Sequence, residues 1–318
     1  LALRPPVVTK VYPAGKLPPD ALRALLARYA GPAEGLLVGP GVGVDAAAVA
    51  CRTPVVAASD PITFTGAGVG AHAVHVNAND VACLGARPRW FLATLLLPEG
   101  RTDGALVNAI FREIAEACAC VGAHLCGGHT EVTPGLDRPI VVGTMLGEPV
   151  GAGPLDPRDV RPGDAVLLTK GIAVEGTAIL ARDFGDVLAG RVPDAALERA
   201  RAFLHVPGIG VVREALAALE AGGVRALHDP TEGGLAQGLW EWAEAAGVGF
   251  RVRADAVPVL EETRLVCDAL GLEPWGLLAS GALLLAVAPD RAEAVAAANR
   301  ARGVAVAAIG VAVPAEEG

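Results

Sequence analysis

Aromatic side chains make up only 4% of this 318-residue chain, although 53% of its residues are hydrophobic. The apolarity is therefore carried by Ala, Val and Leu, as in α/β enzymes. An excess of positive charge is also missing: 26 Lys and Arg stand against 35 Asp and Glu, a formal net charge of −9. That balance supplies no broad basic field for nucleic acid or for an anionic membrane. Phosphates would have to be met locally, by metal ions, backbone amides or a few cations. No uninterrupted apolar run reaches the ~18 residues of a membrane-spanning helix. The opening LALRPPVVTKVYPAGK has prolines and charges where a signal peptide needs an apolar core, so the expected location is cytoplasmic. Six cysteines, at 51, 83, 118, 120, 126 and 267, include no CxxC pair, which argues against a zinc site and for small buried thiols. Cys118 and Cys120 lie in the helical pattern FREIAEACACVG, where residues two apart do not face each other.

The length allows two domains, each with its own core. Leu17 to Ala30 predicts a helix with proline at its start and Gly31 past its end. LLVG, AAAVA and PVVAAS read as short strands, GAHAVHVNANDVACLGA as an apolar helix and RWFLATLLL as a strand. A helix from Thr102 to Val121, HLCGG and the strand IVVGTMLG complete the first half. EPVGAGPLDPRDVRPGD is a linker by composition. Beyond it AVLLTK, VRALHD, FRVRA, ALLLAVA and VAVAAIGVAV read as strands, interleaved with helices through EGTAILARDF, GLAQGLWEWAEAAG, LVCDALG and RAEAVAAANRA. The expected division is an N-terminal domain over 1–148, a linker over 149–163 and a C-terminal domain over 164–318. Strands alternating with helices in both halves predict a two-domain α/β protein with mixed sheets.

Several polar residues break these patterns. GPGVGVDAAAVACRTPVVAASD places Asp45 and Asp60 at the ends of an apolar, strand-like stretch. Turn chemistry is one reading, since Asp tolerates tight backbone geometry and bonds its own main chain; a cation held by both is the other. In HAVHVNANDVACLG, the poor helix formers Asn77, Asn79 and Asp80 interrupt an apolar helix. Either Asp80 caps a shorter helix, DVACLGA, or it joins Asp45 and Asp60 as an oxygen ligand of the kind Mg²⁺ prefers. LCGGHTEVTPGLDRP has paired glycines, Gly127 and Gly128, after a strand, where a backbone must approach something closely, followed by His129, a candidate ligand or base. HDPTEGGL ends a strand at Asp229, stops it with Pro230 and opens a helix with Thr231, Glu232, Gly233 and Gly234. Free N–H groups there suit phosphate, and capping by Thr231 is the alternative.

In order, these motifs (GxxDAAAV, ASD, NANDVACLGARP, GGHTE, HDPTEGG) resemble the superfamily of aminoimidazole ribonucleotide (AIR) synthetase (PurM), thiamine-monophosphate kinase (ThiL), selenophosphate synthetase (SelD) and the hydrogenase maturation factor HypE. GKLPPDAL and GGHTEVTPGLDRPIVVGTMLG are most similar to the HypE-like, AIR synthase-related subgroup. The resemblance runs from about Gly15 to the end. It implies a two-domain PurM-like fold: a mixed-sheet N-terminal domain that pairs into a β-barrel across a homodimer, and a C-terminal α/β sandwich. It further implies ATP and Mg²⁺ as cofactors, with Asp45, Asp60, Asp80 and Asp229 as metal ligands. Asn79, Gly127, Gly128, Thr130, Thr231, Gly233 and Gly234 would then lie along the nucleotide, and Asp60, Asp80 and His129 are the catalytic candidates. Three departures stand out. Val44 occupies a position where many members are acidic, Glu232 replaces the Arg of the HypE DPTRGG motif, and the chain ends AVPAEEG where HypE carries a terminal Cys. The expected activity is transfer of a phosphoryl group from ATP to an oxygen of a small molecule, or activation of that oxygen by ATP. The alternative is an ATP-binding maturation or assembly factor that acts on a protein partner.

Overall fold

The computed structural model describes residues 11–13, 15–38, 48–51, 54–63, 68–151 and 153–317. Asp45 and Val44 lie outside them. The chain divides into two units, one of residues 1–78 and 88–148 and one of residues 79–87 and 149–318. The end of one helix and the start of the next strand thus group with the second unit, which a contiguous division at residue 148 does not provide for.

The first part of the chain runs β1 (Gly15–Lys16), α1 (Pro19–Tyr29), β2 (Leu36–Val38), β3 (Ala48–Val49), β4 (Val56–Ala58), β5 (Pro61–Ile62), α2 (Val69–Cys83), β6 (Ala86–Pro98), α3 (Gly104–Val121), β7 (His124–Thr133) and β8 (Ile140–Pro149). The main sheet has the order β1-β7-β6-β8-β4, with β5 also on β8, and is mixed because β6 and β7 are parallel. α3 shows why the sequence folds as it does. The Asp103 carboxylate accepts the Leu106 N–H at the N-terminus, and Gly122 closes the C-terminus in the left-handed region. Val107, Ile110, Phe111, Ile114, Ala117, Cys118 and Val121, at helical spacing, form its buried face. β8 alternates instead, with Val141, Gly143, Met145 and Gly147 buried and Val142, Thr144 and Leu146 half-buried.

The second part runs β9 (Ala165–Thr169), α4 (Val174–Asp183), α5 (Gly185–Leu188), α6 (Asp194–Arg201), α7 (Val212–Ala221), β10 (Val224–His228), α8 (Gly234–Ala246), β11 (Val248–Val252), α9 (Glu261–Leu270), β12 (Leu284–Val287), α10 (Ala292–Arg300) and β13 (Val306–Pro314). Its sheet, β10-β12-β9-β13-β11, is antiparallel at every pairing, not mixed as the strand–helix alternation predicts. The helices connect strands that are not neighbours, so alternation in sequence does not become parallel pairing in space. Leu235 and Trp242 of α8 pack with Val166, Leu168, Leu284 and Ala286 in one core cluster, while α4, α6 and α9 share others. Cys267 is buried in α9, as its apolar spacing predicts. Cys51 and Cys120 are exposed, contrary to the expectation of buried thiols, because Cys120 falls off the buried face of α3; all six cysteines are free.

Candidate functional site

α2 runs unbroken through Asn77, Asn79 and Asp80, so Asp80 is not the cap of a shorter helix. Asp80 and Cys83, three apart, share a helix face. The Cys83 thiol donates to Oδ1 of Asp229 at 3.5 Å, and both residues are buried. Burial, together with the charges of Asp229 and Asp80, pushes this thiol well above its ordinary range, so it stays protonated. Two carboxylates from the ND and HDPT motifs therefore lie about one thiol.

Asp229 follows β10, and the chain then turns through Pro230 into α8. The helix begins at Gly234, later than its sequence signals indicate. Gly233 is its N-cap at φ 75°, with no side-chain cap, so Thr231 does not cap it. Instead the Thr231 carbonyl accepts the N–H groups of Gly234 at 3.1 Å and Ala279 at 3.2 Å. A side chain at Gly234 would run into the carbonyls of Trp275 and Leu277. The turn is thus built on backbone, and the opening N–H groups of α8 point along its positive dipole end without a side chain to satisfy them.

Asn79 turns to a different segment. Its amide donates to the Ile209 carbonyl and accepts the Val211 N–H, both at 2.9 Å. Lys170 holds the same segment: its ammonium donates to the carbonyls of Gly208 at 3.1 Å and Gly210 at 2.7 Å, and pairs with Glu214 at 2.7 Å. Burial pulls the Lys170 ammonium below its usual range, opposed by Glu214. Lys170 (φ 54°) and Ala173 (φ 59°) both occupy the left-handed region, so the 170–173 turn is strained backbone held in place by packing.

In the first unit, Asp60 sits between β4 and β5, with the register on β8 unbroken across it: Ala58 faces Met145 and Pro61 faces Val142. The Asn77 amide accepts the Asp60 N–H at 2.8 Å and donates to the Asp60 carbonyl at 3.3 Å, while Gly143 N–H donates to that carbonyl at 2.9 Å. A Cβ on Gly143 would occupy the space of the Asn77 amide. Asp60 is thus carried on a backbone pinned at both polar groups, with its carboxylate half-exposed. Gly127 and Gly128 lie inside β7, not after a strand. Gly128, at φ 139°, is where the backbone of Ala93 in β6 comes too close for any side chain. Thr130 is buried in β7, and His129 is exposed with Nε2 at 3.0 Å from Glu131. β7 and β4 are three steps apart in the sheet, ~14 Å at ~4.8 Å per strand, so His129 and Asp60 do not meet within one chain.

Among the described residues, no three His, Cys, Asp or Glu side chains form a closed metal cage. Two hard oxygen donors, Asp80 and Asp229, are what Mg²⁺ takes when phosphate oxygens and water complete its shell, so this donor set fits that ion. Cys83, Lys170 and Glu214 carry no sequence signal for a role here. Each looks like an ordinary core or surface residue until its distant partner is known.

Residues 42–148 match the family model of the AIR synthase related protein N-terminal domain, and residues 161–318 that of the C-terminal domain. The chain belongs to the AIR synthase-related family. It is 34% identical over 249 residues to carbamoyl dehydratase HypE of Rhizobium leguminosarum bv. viciae, an alignment that covers 76% of this chain and 66% of the relative. The chain thus spans just under two thirds of that relative's length. A crystal structure of hydrogenase maturation protein HypE in complex with ATP superposes with a TM-score of 0.76 at 29% identity, covering 91% of this chain and 84% of the other. Thiamine-monophosphate kinase from Stenotrophomonas maltophilia K279a shares the fold, with a TM-score of 0.74 at 21% identity over 93% and 92% of the two chains. This AIR synthase-related chain has the two-domain PurM-like fold of both. No described helix is long and apolar enough to cross a membrane.

Proposed function

We propose that the protein is an Mg²⁺-dependent, ATP-binding enzyme that phosphorylates, or activates through ATP, an oxygen of a small-molecule substrate. The observation that carries this reading is the approach of Asp80 and Asp229 to one buried thiol, beside the uncapped, glycine-led N-terminus of α8. A HypE structure holding ATP supports the nucleotide. Asp80 and Asp229 would hold Mg²⁺, which neutralises phosphate charge and aligns the transferring group. The opening N–H groups of α8, with Gly233 and Gly234 leaving room for close approach, would receive phosphate oxygens. Asp60 and Asp45 complete the proposed ligand set, Asn79 and Thr231 support it through backbone contacts, and Gly127, Gly128, Thr130 and His129 are assigned to the nucleotide and substrate side. Phosphoryl transfer asks for positioning and charge neutralisation more than for covalent help, so no nucleophilic side chain is required.

A second reading, an ATP-binding maturation factor that acts on a protein, is favoured by the names of the relatives, carbamoyl dehydratase and hydrogenase maturation protein. ADP release that rises with a metabolite library supports the first reading. Release that rises only with a protein partner supports the second. Asp229→Asn is expected to abolish most of the Mg²⁺–ATP stabilisation, which for a ligand at a hundred times its Kd is about 2.7 kcal/mol. Asp60→Asn should weaken it as well, with the apo protein as stable as before. Full retention of the thermal shift in Asp229→Asn rules the site out.

A further inference from the structure

Cys83 lies on the buried face of α2's last turn, and its thiol bonds to Asp229, 146 positions away in the chain. The thiol donates to Oδ1 at 3.5 Å, and both residues are buried. A carboxylate that accepts from a buried neighbour's donor is restrained in the rotation about its side-chain bonds that it would otherwise have at the mouth of a turn. A thiol suits this task because it donates weakly. It orients the carboxylate without withdrawing the electron density that a strong donor such as Arg would take from a metal ligand. Cys83 shares its helix face with Asp80, so one turn of helix would both supply one carboxylate and aim the other.

We propose that Cys83 is a positioning residue for Asp229: its S–H···O bond holds the carboxylate in the orientation that receives Mg²⁺–ATP. The proposal rests on the metal-site reading of Asp229 given above. The thiol touches neither the nucleotide nor the reacting oxygen, and its effect passes entirely through Asp229.

Two substitutions separate positioning from packing. Cys83→Val keeps volume and loses the donor; Cys83→Ser keeps a donor and loses volume. Positioning predicts that Cys83→Val raises the Mg²⁺ concentration for half-maximal ATP-dependent thermal stabilisation about three- to tenfold, the size of one hydrogen bond, and that Cys83→Ser stays near wild type. A packing role predicts the reverse order. The infrared S–H stretch gives a readout that needs no ligand. The Cys83 band, identified by its loss in Cys83→Ser, should lie at lower frequency than those of the other buried thiols and rise in Asp229→Asn, whose amide is the weaker acceptor. If Asp229→Asn loses the Mg²⁺–ATP shift while Cys83→Val behaves as wild type, the metal site stands and the positioning role falls. If Asp229→Asn keeps the full shift, both fall. An S–H band unmoved by Asp229→Asn overturns the hydrogen bond itself.

Discussion

The two units solve the same problem, covering a sheet, in different ways. In the second, β9 is buried at four of five positions and β12 at all four, since helices of the same unit cover both faces. In the first, β8 alternates between buried and half-buried, and the half-covered face is apolar: Val142 and Leu146 on β8, Leu92 and Leu96 on β6. The difference teaches where each unit finds its stability. The second is closed on itself and spends buried charge inside, at Lys170 and Glu214. The first leaves apolar surface that a copy of itself would cover, and we propose a homodimer through that face.

The largest expected effect tests how closed the second unit is. Lys170→Met leaves Glu214 buried and unpaired and should cost about 3–5 kcal/mol, read as a fall in the denaturant midpoint; replacing both residues by Met should recover most of it. A loss near that of a surface pair, below ~1 kcal/mol, would mean that water reaches this pair and the unit is not sealed. Leu146→Asp addresses the first unit. A charge on a desolvated face should cost the dimer about 3 kcal/mol, roughly a hundredfold in Kd, and light scattering should then report the 32.1 kDa monomer. A wild type that is already monomeric at micromolar concentration removes the interface from the comparison.

Asn77 and Asn79 sharpen it further, since each is bonded inside a different unit. Asn79→Ala strips partners from Ile209 and Val211 and should cost about 1–3 kcal/mol, with faster amide exchange at Val211. Asn77→Ala should speed exchange at the Asp60 amide instead. Equal spread of either effect through both units would erase the distinction. The smallest effect is chemical: under native conditions at pH 8 a maleimide should label Cys51 and Cys120 and spare the four buried thiols, of which Cys126 and Cys267 are pushed up to about 11 by burial. Four or more rapid labels in intact-mass spectra would show that the cores open.

Much of the architecture is legible without coordinates because its signals are local. α3 announces itself by apolar spacing closed with Gly122, β8 by alternation, and Cys267 by its place in an apolar helix pattern. The order of the five motifs, too, is a property of the chain alone, and it leads to the family. Signals fail where a local reading has two physical outcomes. Gly127 and Gly128 read as glycines after a strand where a backbone comes close, yet they lie inside a ladder and the backbone that comes close to Gly128 is that of β6. Thr231 reads as a cap, yet its carbonyl, not its hydroxyl, organises the turn before α8. Alternating strands and helices read as mixed sheets, yet the second sheet is antiparallel because its crossovers skip neighbours.

By itself, then, the sequence determined the elements, the family and the carboxylates worth watching, since periodicity, caps and motif order are written within a few residues of one another. Only the tertiary structure decided which of those polar groups meet. Cys83 finds Asp229 across 146 positions, Asn79 finds Ile209 across 130, and Lys170 finds Gly210 across 40. A hydrogen bond falls off within an ångström and its partner is chosen by the packing of whole elements, so no spacing along the chain can announce it.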